Sequence, residues 1–414
     1  MITAINNSTP SFQNSKNNFS RKTKMLDKFI KSQENLSHTR FIQGTLTNWF
    51  PKAILSRSFI DFSEFTFLEL LESGIFYFAA PLLGEHAFRK GLFKNIHPEN
   101  IADKIPQSLN EIKKSNLPKE IKNKAIATKA GIILGCITVP ALEYGLGFAK
   151  NLFTLKVFKV SDFNNVANLK KEKTEDLEQQ KRVESHAKSV LAKTALLSAA
   201  GITSGLALAK YGHKSKTALK FSETLLEPGE KIAKLLNTKN KALKDYLKLD
   251  FTNNNGKLAL SKGLLAATCI TGLFGYSSAA KDRGKLDYYE VWTRVPLVVL
   301  YTIFGSSILD SGFKKFLAKK GKFPELINKD KNGQIKPIPT RDELPQIAEK
   351  LAKANNTSVD TELAKLIKQK ATITGIPFLF SLIAMGFTLS AVSRAWTKYR
   401  YNHQNNLSGN NQQI

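Results

Sequence analysis

Four carboxylates stand inside or against apolar stretches of this sequence, where an acid is unusual enough to suggest chemistry. Glu143 lies within GCITVPALEYGLGF, Glu69 and Glu72 sit three apart near the start of another apolar run, and Asp310 sits near the end of a third. A carboxylate in an apolar helix can take up a proton, hold a cation or pair with a buried base. Each use requires that it face the protein interior or a water path instead of lipid. Glu143 is the deepest and is the first candidate, with Glu72 second. Glu69, nearer an edge, is expected to tolerate loss of its charge better than Glu143.

No other constellation points to turnover. The chain has no phosphate-cradling GxxxxGK[ST] loop, no G-x-S-x-G elbow, no H-E-x-x-H and no dinucleotide fingerprint. Cys136 and Cys269 both fall in apolar stretches, and the six histidines are scattered without ligand spacing, so neither a disulfide framework nor a metal site is expected. A cofactor is not expected, and the chemistry favoured is binding in place of catalysis.

The elements that must position these acids emerge from where charge is missing. The 414 residues carry 62 Lys and Arg against 34 Asp and Glu, a formal net charge of +28. The mean hydropathy of −0.23 averages very polar and very apolar segments. Six apolar islands stand out at 66–84, 130–149, 194–209, 263–279, 295–313 and 371–393, and none contains Lys or Arg. A cation at mid-bilayer costs about 2.5–3.5 kcal/mol on insertion scales, so a lysine-rich chain that spans a membrane must expel its cations to the ends of the spans. Lys129, Lys193, Lys262, Arg294, Lys370 and Arg394 stand at the island edges, where long side chains are expected to snorkel toward headgroups. The islands 194–209 and 263–279 are short and rich in Ala, Gly and Ser, which also suits a re-entrant or buried helix.

The fold class expected is therefore all-α: a polytopic membrane protein with about six apolar helices in three hairpins, joined by amphipathic polar helices. By residue, a basic tail over 1–60 precedes hairpin 1 (61–160), a charged linker (161–185), hairpin 2 (186–280), hairpin 3 (281–400) and a disordered tail (401–414). TKAGIILGCIT from Thr128 and SKGLLAATCIT from Ser261 match at Lys and at Cys-Ile-Thr, a weak internal repeat. Gly131 and Gly135, like Gly201 and Gly205, form small-xxx-small faces on which helices can approach closely, within the chain in preference to a dimer. Trp292 and Trp396 flank islands five and six, as interfacial anchors do.

More than half of the Lys and Arg fall in the connections after the first, third and fifth islands, which places those connections on the cytoplasmic side. Their expected partners are the lipid bilayer and its anionic headgroups. Nucleic acid is not expected, because the lysines alternate with acids and no recognition motif accompanies them. The reading is a non-enzymatic integral membrane protein with a structural, anchoring or interaction role. The alternatives are a small-solute or ion transporter using Glu143, and a soluble or peripheral helical protein.

Overall fold

Short polar side chains mark the helix starts. Ser108, Asp162, Asp176, Ser215 and Ser261 each accept a hydrogen bond from an amide in the first turn that follows, and Glu111 completes a capping box with Ser108. The computed structural model describes residues 19–34, 45–99, 101–170, 174–254, 257–259, 261–330 and 333–410. The described chain is helical apart from a small antiparallel hairpin, β1 (Thr252–Asn254) with β2 (Lys257–Ala259), and an isolated bridge between Lys329 and Ile335.

The α-helices run in order α1 (Arg21–Glu34), α2 (Phe50–Ile54), α3 (Phe59–Phe78), α4 (Leu109–Lys114), α5 (Lys119–Gly135), α6 (Thr138–Phe158), α7 (Phe163–Val166) and α8 (Leu177–Tyr211). They continue with α9 (Lys216–Leu226), α10 (Pro228–Leu235), α11 (Lys241–Tyr246), α12 (Lys262–Lys281), α13 (Lys285–Leu300), α14 (Ser306–Lys319), α15 (Leu344–Asn355), α16 (Val359–Ser381) and α17 (Leu389–Asn410). A π-helical stretch, Ala79–Leu92, extends α3, and shorter ones join α13 to α14 and α16 to α17.

Among the described residues, five helical segments are long and apolar enough to cross a bilayer: Lys119–Phe158, Leu177–Lys214, Lys262–Lys281, Lys285–Lys319 and Val359–Gln404. They contain islands two to six. Island 66–84 is not among them: it contains residues 76–81, whose side chains lie outside the described residues. Helix α3 carries Asp61, Glu64, Glu69 and Glu72 among its Phe and Leu residues. In Lys285–Lys319 and Val359–Gln404 only 11% of the most apolar window is buried. Leu297, Leu300, Leu379, Phe380 and Ile383 are each at least half exposed, so these helices turn large apolar side chains outward.

The chain divides into two compact units, one of Met1–Asn35 with Leu309–Pro377 and one of Leu36–Ile308 with Phe378–Ile414, a discontinuous division instead of three successive hairpins. The first has its own core of Ile30, Leu317, Leu326, Leu344, Leu366 and Ile367. Arg341 pairs there with Asp27, and Lys370, 5% exposed, pairs with Glu34.

In the second unit α6 is the central helix, packing against α3, α8 and α12. Gly145 admits Leu191 and Thr194 of α8, while Gly147, about 200° around the helix, admits Tyr276 and Ala279 of α12. The arms of the expected second hairpin, α8 and α12, thus each pack on α6. Helix α12 also packs on its chain neighbour α13, across a turn in which Gly284 adopts φ 125°, open to glycine and strained for other residues.

Three further expectations are corrected. Lys129 does not snorkel: its side chain is 0% exposed, bonded to the Ile105 and Gln107 carbonyls and 2.9 Å from Asp250. The two repeat segments are not equivalent, because Lys129 is buried in mid-helix whereas Lys262 is the exposed first residue of α12. The polar stretch from 401 continues α17 to Asn410. Residues 1–18, 35–44 and 411–414 of the expected tails lie outside the described residues.

The bundle of this unit has two ends. At the first, the amide of Phe163 donates to the Arg283 carbonyl and Ser58 donates to the Val166 carbonyl. At the second, the Leu258 amide donates to Glu85 and Lys129 meets Asp250. Helix α3 and its extension start beside the first end and finish beside the second.

Candidate functional site

Four helices of the second unit each turn a polar stripe toward one cleft. On α3 the stripe is Asp61, Glu64, Leu68 and Glu72, on α6 it is Glu143, Gly147, Lys150 and Thr154, and on α13 it is Asp287, Glu290 and Arg294. On α12 the same face carries Gly272, Tyr276 and Ala279, with Arg283 just beyond. Spacings of three and four place each set on a single helix face. The cleft contains a cavity of about 100 Å³, lined among others by Lys52, Glu69, Glu72, Lys150, Tyr276 and Arg294.

At the first end, Arg283 is the hub. Its Nη1 donates to Glu64 Oε1 at 2.7 Å and to Asn151 Oδ1 at 3.2 Å, and its Nε stands 3.5 Å from Asp287. Glu64 also receives Lys150 at 3.0 Å and the Thr154 hydroxyl at 2.8 Å. Arg57 makes a two-pronged pair with Glu290 at 2.8 and 3.1 Å and reaches Asp61 at 3.3 Å, which Arg394 also approaches at 3.4 Å. These side chains are nearly all buried. Removing one partner of such a buried pair leaves an uncompensated charge and costs about 3–5 kcal/mol, so the pairs hold one another in place.

Deeper in, the pattern changes from paired ions to partly paired acids. Lys52 of α2 bonds Glu69. About 10 Å from Arg283 along α12, by the helical rise, the Tyr276 hydroxyl lies 2.8 Å from Glu143 Oε1 and 3.3 Å from Glu72 Oε2. Gly272 opens the space for this group, since a Cβ there would stand 2.8 Å from Glu143 Oε1. Glu143 is 1% exposed, and its Oε2 has no hydrogen-bond partner. Among the described residues, neither Glu143 nor Glu72 has a Lys or Arg at ion-pair distance.

The structure thus brings Glu143, Glu72 and Glu69 together, while Asp310 belongs to the first unit and makes a half-buried pair with Lys314 at 2.6 Å. Glu69 is not the bystander expected from its place near an island edge, for it is 4% exposed and paired. Trp292 donates to Ser277 at 2.7 Å, and Trp396 stacks on Tyr399 beneath Arg400; both indoles are partly exposed. Gly131 and Gly205 face each other across α5 and α8 so closely that a Cβ on either would collide with the other's carbonyl oxygen. Gly201 abuts the Leu134 carbonyl and Gly135 the Phe88 ring.

Sequence reasoning missed Arg57, Asp61, Glu64, Lys150, Arg283, Asp287 and Glu290, because a search for charge-free stretches stops at the first charge. The readable signal was that these charges continue the helical spacing of the adjoining island. Among the described residues, no group of three His, Cys, Asp or Glu side chains is arranged to hold a metal ion. No family model, curated protein or solved structure matches the chain.

Proposed function

We propose that the chain is a multi-pass membrane protein that passes a small ion across the bilayer along the polar cleft of its second unit. The observation that carries this reading is the inward run of buried charges from Arg283 to Tyr276 and Glu143, beneath a perimeter of exposed Leu, Ile and Phe. Ionised groups at this depth are costly, and a purely anchoring bundle would be as stable or more so with apolar side chains in their place. The cavity size limits the cargo. A volume of about 100 Å³ holds several waters or a small ion, well below the ~300–1,000 Å³ of a site for an organic ligand.

On this reading α3 with its extension is a sixth pass. It runs between the two ends of the bundle, with Leu70 and Leu71 exposed and its acids turned inward. Reconstitution into liposomes with an entrapped ion indicator tests the proposal: an imposed gradient should drive flux that is strongly reduced by Glu72→Gln and Glu143→Gln. Flux no greater than in protein-free vesicles sinks it, and release of the protein by alkaline carbonate sinks the membrane assignment with it.

A second reading, an anchoring or interaction role on anionic lipid, is supported by α9 and α10. These helices expose Phe221, Ile232 and Leu235 beside Lys216, Lys220, Lys231 and Lys234, the composition of a helix lying in the headgroup layer. Each lysine near an anionic surface adds about 1 kcal/mol. Limited proteolysis across 216–248 should be slower in phosphatidylserine-containing vesicles than in phosphatidylcholine alone. Equal rates remove this role.

A further inference from the structure

The hydrogen-bond inventory around Tyr276 is incomplete unless one more proton is present. A phenol has one O–H to donate, yet the Tyr276 oxygen lies within hydrogen-bond distance of two carboxyl groups, Glu143 at 2.8 Å and Glu72 at 3.3 Å. With both carboxyls ionised, one of those contacts would set a lone pair against a lone pair. Glu143 would moreover carry a full charge at 1% exposure with no cation at bonding distance and with Oε2 bare.

The charged groups that face the pair come from every neighbouring element. Glu69 and Glu72 project from α3, Lys52 from α2 and Arg294 from α13, while α8 presents the uncharged Thr194. Three carboxylates against two cations leave one negative charge over, and one proton neutralises it.

We infer that Glu143, Tyr276 and Glu72 form a proton-binding site, in which one carboxyl is protonated at neutral pH and the tyrosine hydroxyl joins it to the other. In one arrangement Tyr276 donates to Glu143 and protonated Glu72 donates to the tyrosine oxygen. In the other, protonated Glu143 donates to that oxygen and Tyr276 donates to Glu72. Glu72 and Tyr276 line the cavity, and Glu143 lies behind them. A proton taken from cavity water at Glu72 therefore reaches Glu143 by a concerted shift of two O–H bonds, and it returns to that water by the reverse shift. This deepens the ion-passage reading by naming the ion, and it rests on that reading only for the claim that the proton crosses the membrane.

The test is infrared spectroscopy of the full chain in lipid. At neutral pH, the wild type should show the carbonyl stretch of a protonated carboxylic acid, shifting in D2O and disappearing as the pH is raised. Glu143→Gln and Glu72→Gln should each abolish it, Tyr276→Phe should shift it, and Glu223→Gln, an exposed acid paired with Lys113, should leave it unchanged. A wild-type spectrum without the band overturns the site whatever the variants do. So does a band that survives both Glu72→Gln and Glu143→Gln. The band without liposome flux supports the proton site and rejects transport, whereas flux without the band does the opposite.

Discussion

Glu64 and Arg283 meet at 2.7 Å inside the second unit although 219 residues separate them in the chain. Their contact joins the first turns of α3 to the turn between α12 and α13, and it brings Lys150, Asn151 and Thr154 of α6 into the same network. Arg283→Met leaves Lys150 as the one cation among the described residues paired with Glu64 and, at 4.0 Å, with Asp287, and should cost about 3–5 kcal/mol. Adding Glu64→Gln should recover part of that loss. A thermal-unfolding double-mutant cycle in detergent checks it, and strictly additive effects would show that the pair is not coupled.

Lys129 and Asp250 form a second buried pair, both side chains 0% exposed, that ties α5 to the segment before the β1–β2 hairpin. Lys129→Met should be more damaging than Lys129→Met with Asp250→Asn, because the single change leaves a carboxylate in an apolar core. Relative folded yield and unfolding temperature of the two variants give the answer.

Close approach of α5 and α8 depends on two absent side chains. Gly205→Val should lower stability by about 1–3 kcal/mol or force the helices apart, since the new Cβ meets the Gly131 carbonyl. Gly312→Val, where a Cβ meets nothing, is the control. Similar unfolding temperatures for both would argue against the interhelical contact.

The loop at the first end is held by Glu175, whose carboxylate accepts from the Ser161 amide and hydroxyl at 2.9 Å and from Asn165 at 2.6 Å. Partial burial raises its pKa, but the bonds from Asn165, Ser161 and Asp162 together outweigh that and leave it below the usual carboxylate value. A depressed folded-state value means that the stabilisation is present above the ordinary glutamate pKa and is lost as the pH falls through the lower one. Amide exchange at Ser161 and Asp162 should therefore speed up in acid, and Glu175→Gln should abolish that acid dependence.

The two ends of the bundle should label from opposite sides of a membrane. Cys136 and Cys269 are buried, so cysteines introduced at exposed Glu178, at the first end, and at Lys239, in the Lys-rich connection between α8 and α12, report with little background. On the membrane reading, the excess of Lys and Arg would set the second site on the cytoplasmic side. An impermeant maleimide should modify the Glu178 site in intact cells and the Lys239 site only after lysis. Labelling of both from outside removes the topology.

The apolar islands were legible in the sequence because excluding charge from lipid-sized stretches is a local property of composition. Five of the six coincide with helices long and apolar enough to span. Glu143 and Glu72 could be picked out for the same reason, as acids where acids are rare. The sequence could not say that Glu69 has Lys52, that Lys129 has Asp250, or that Tyr276 stands between two carboxyls. A buried charge is tolerated only with a partner, and these partners lie from 17 to 204 residues away. Composition determined which segments avoid water; helix packing decided which faces turn inward, and thereby which charges meet in the cleft.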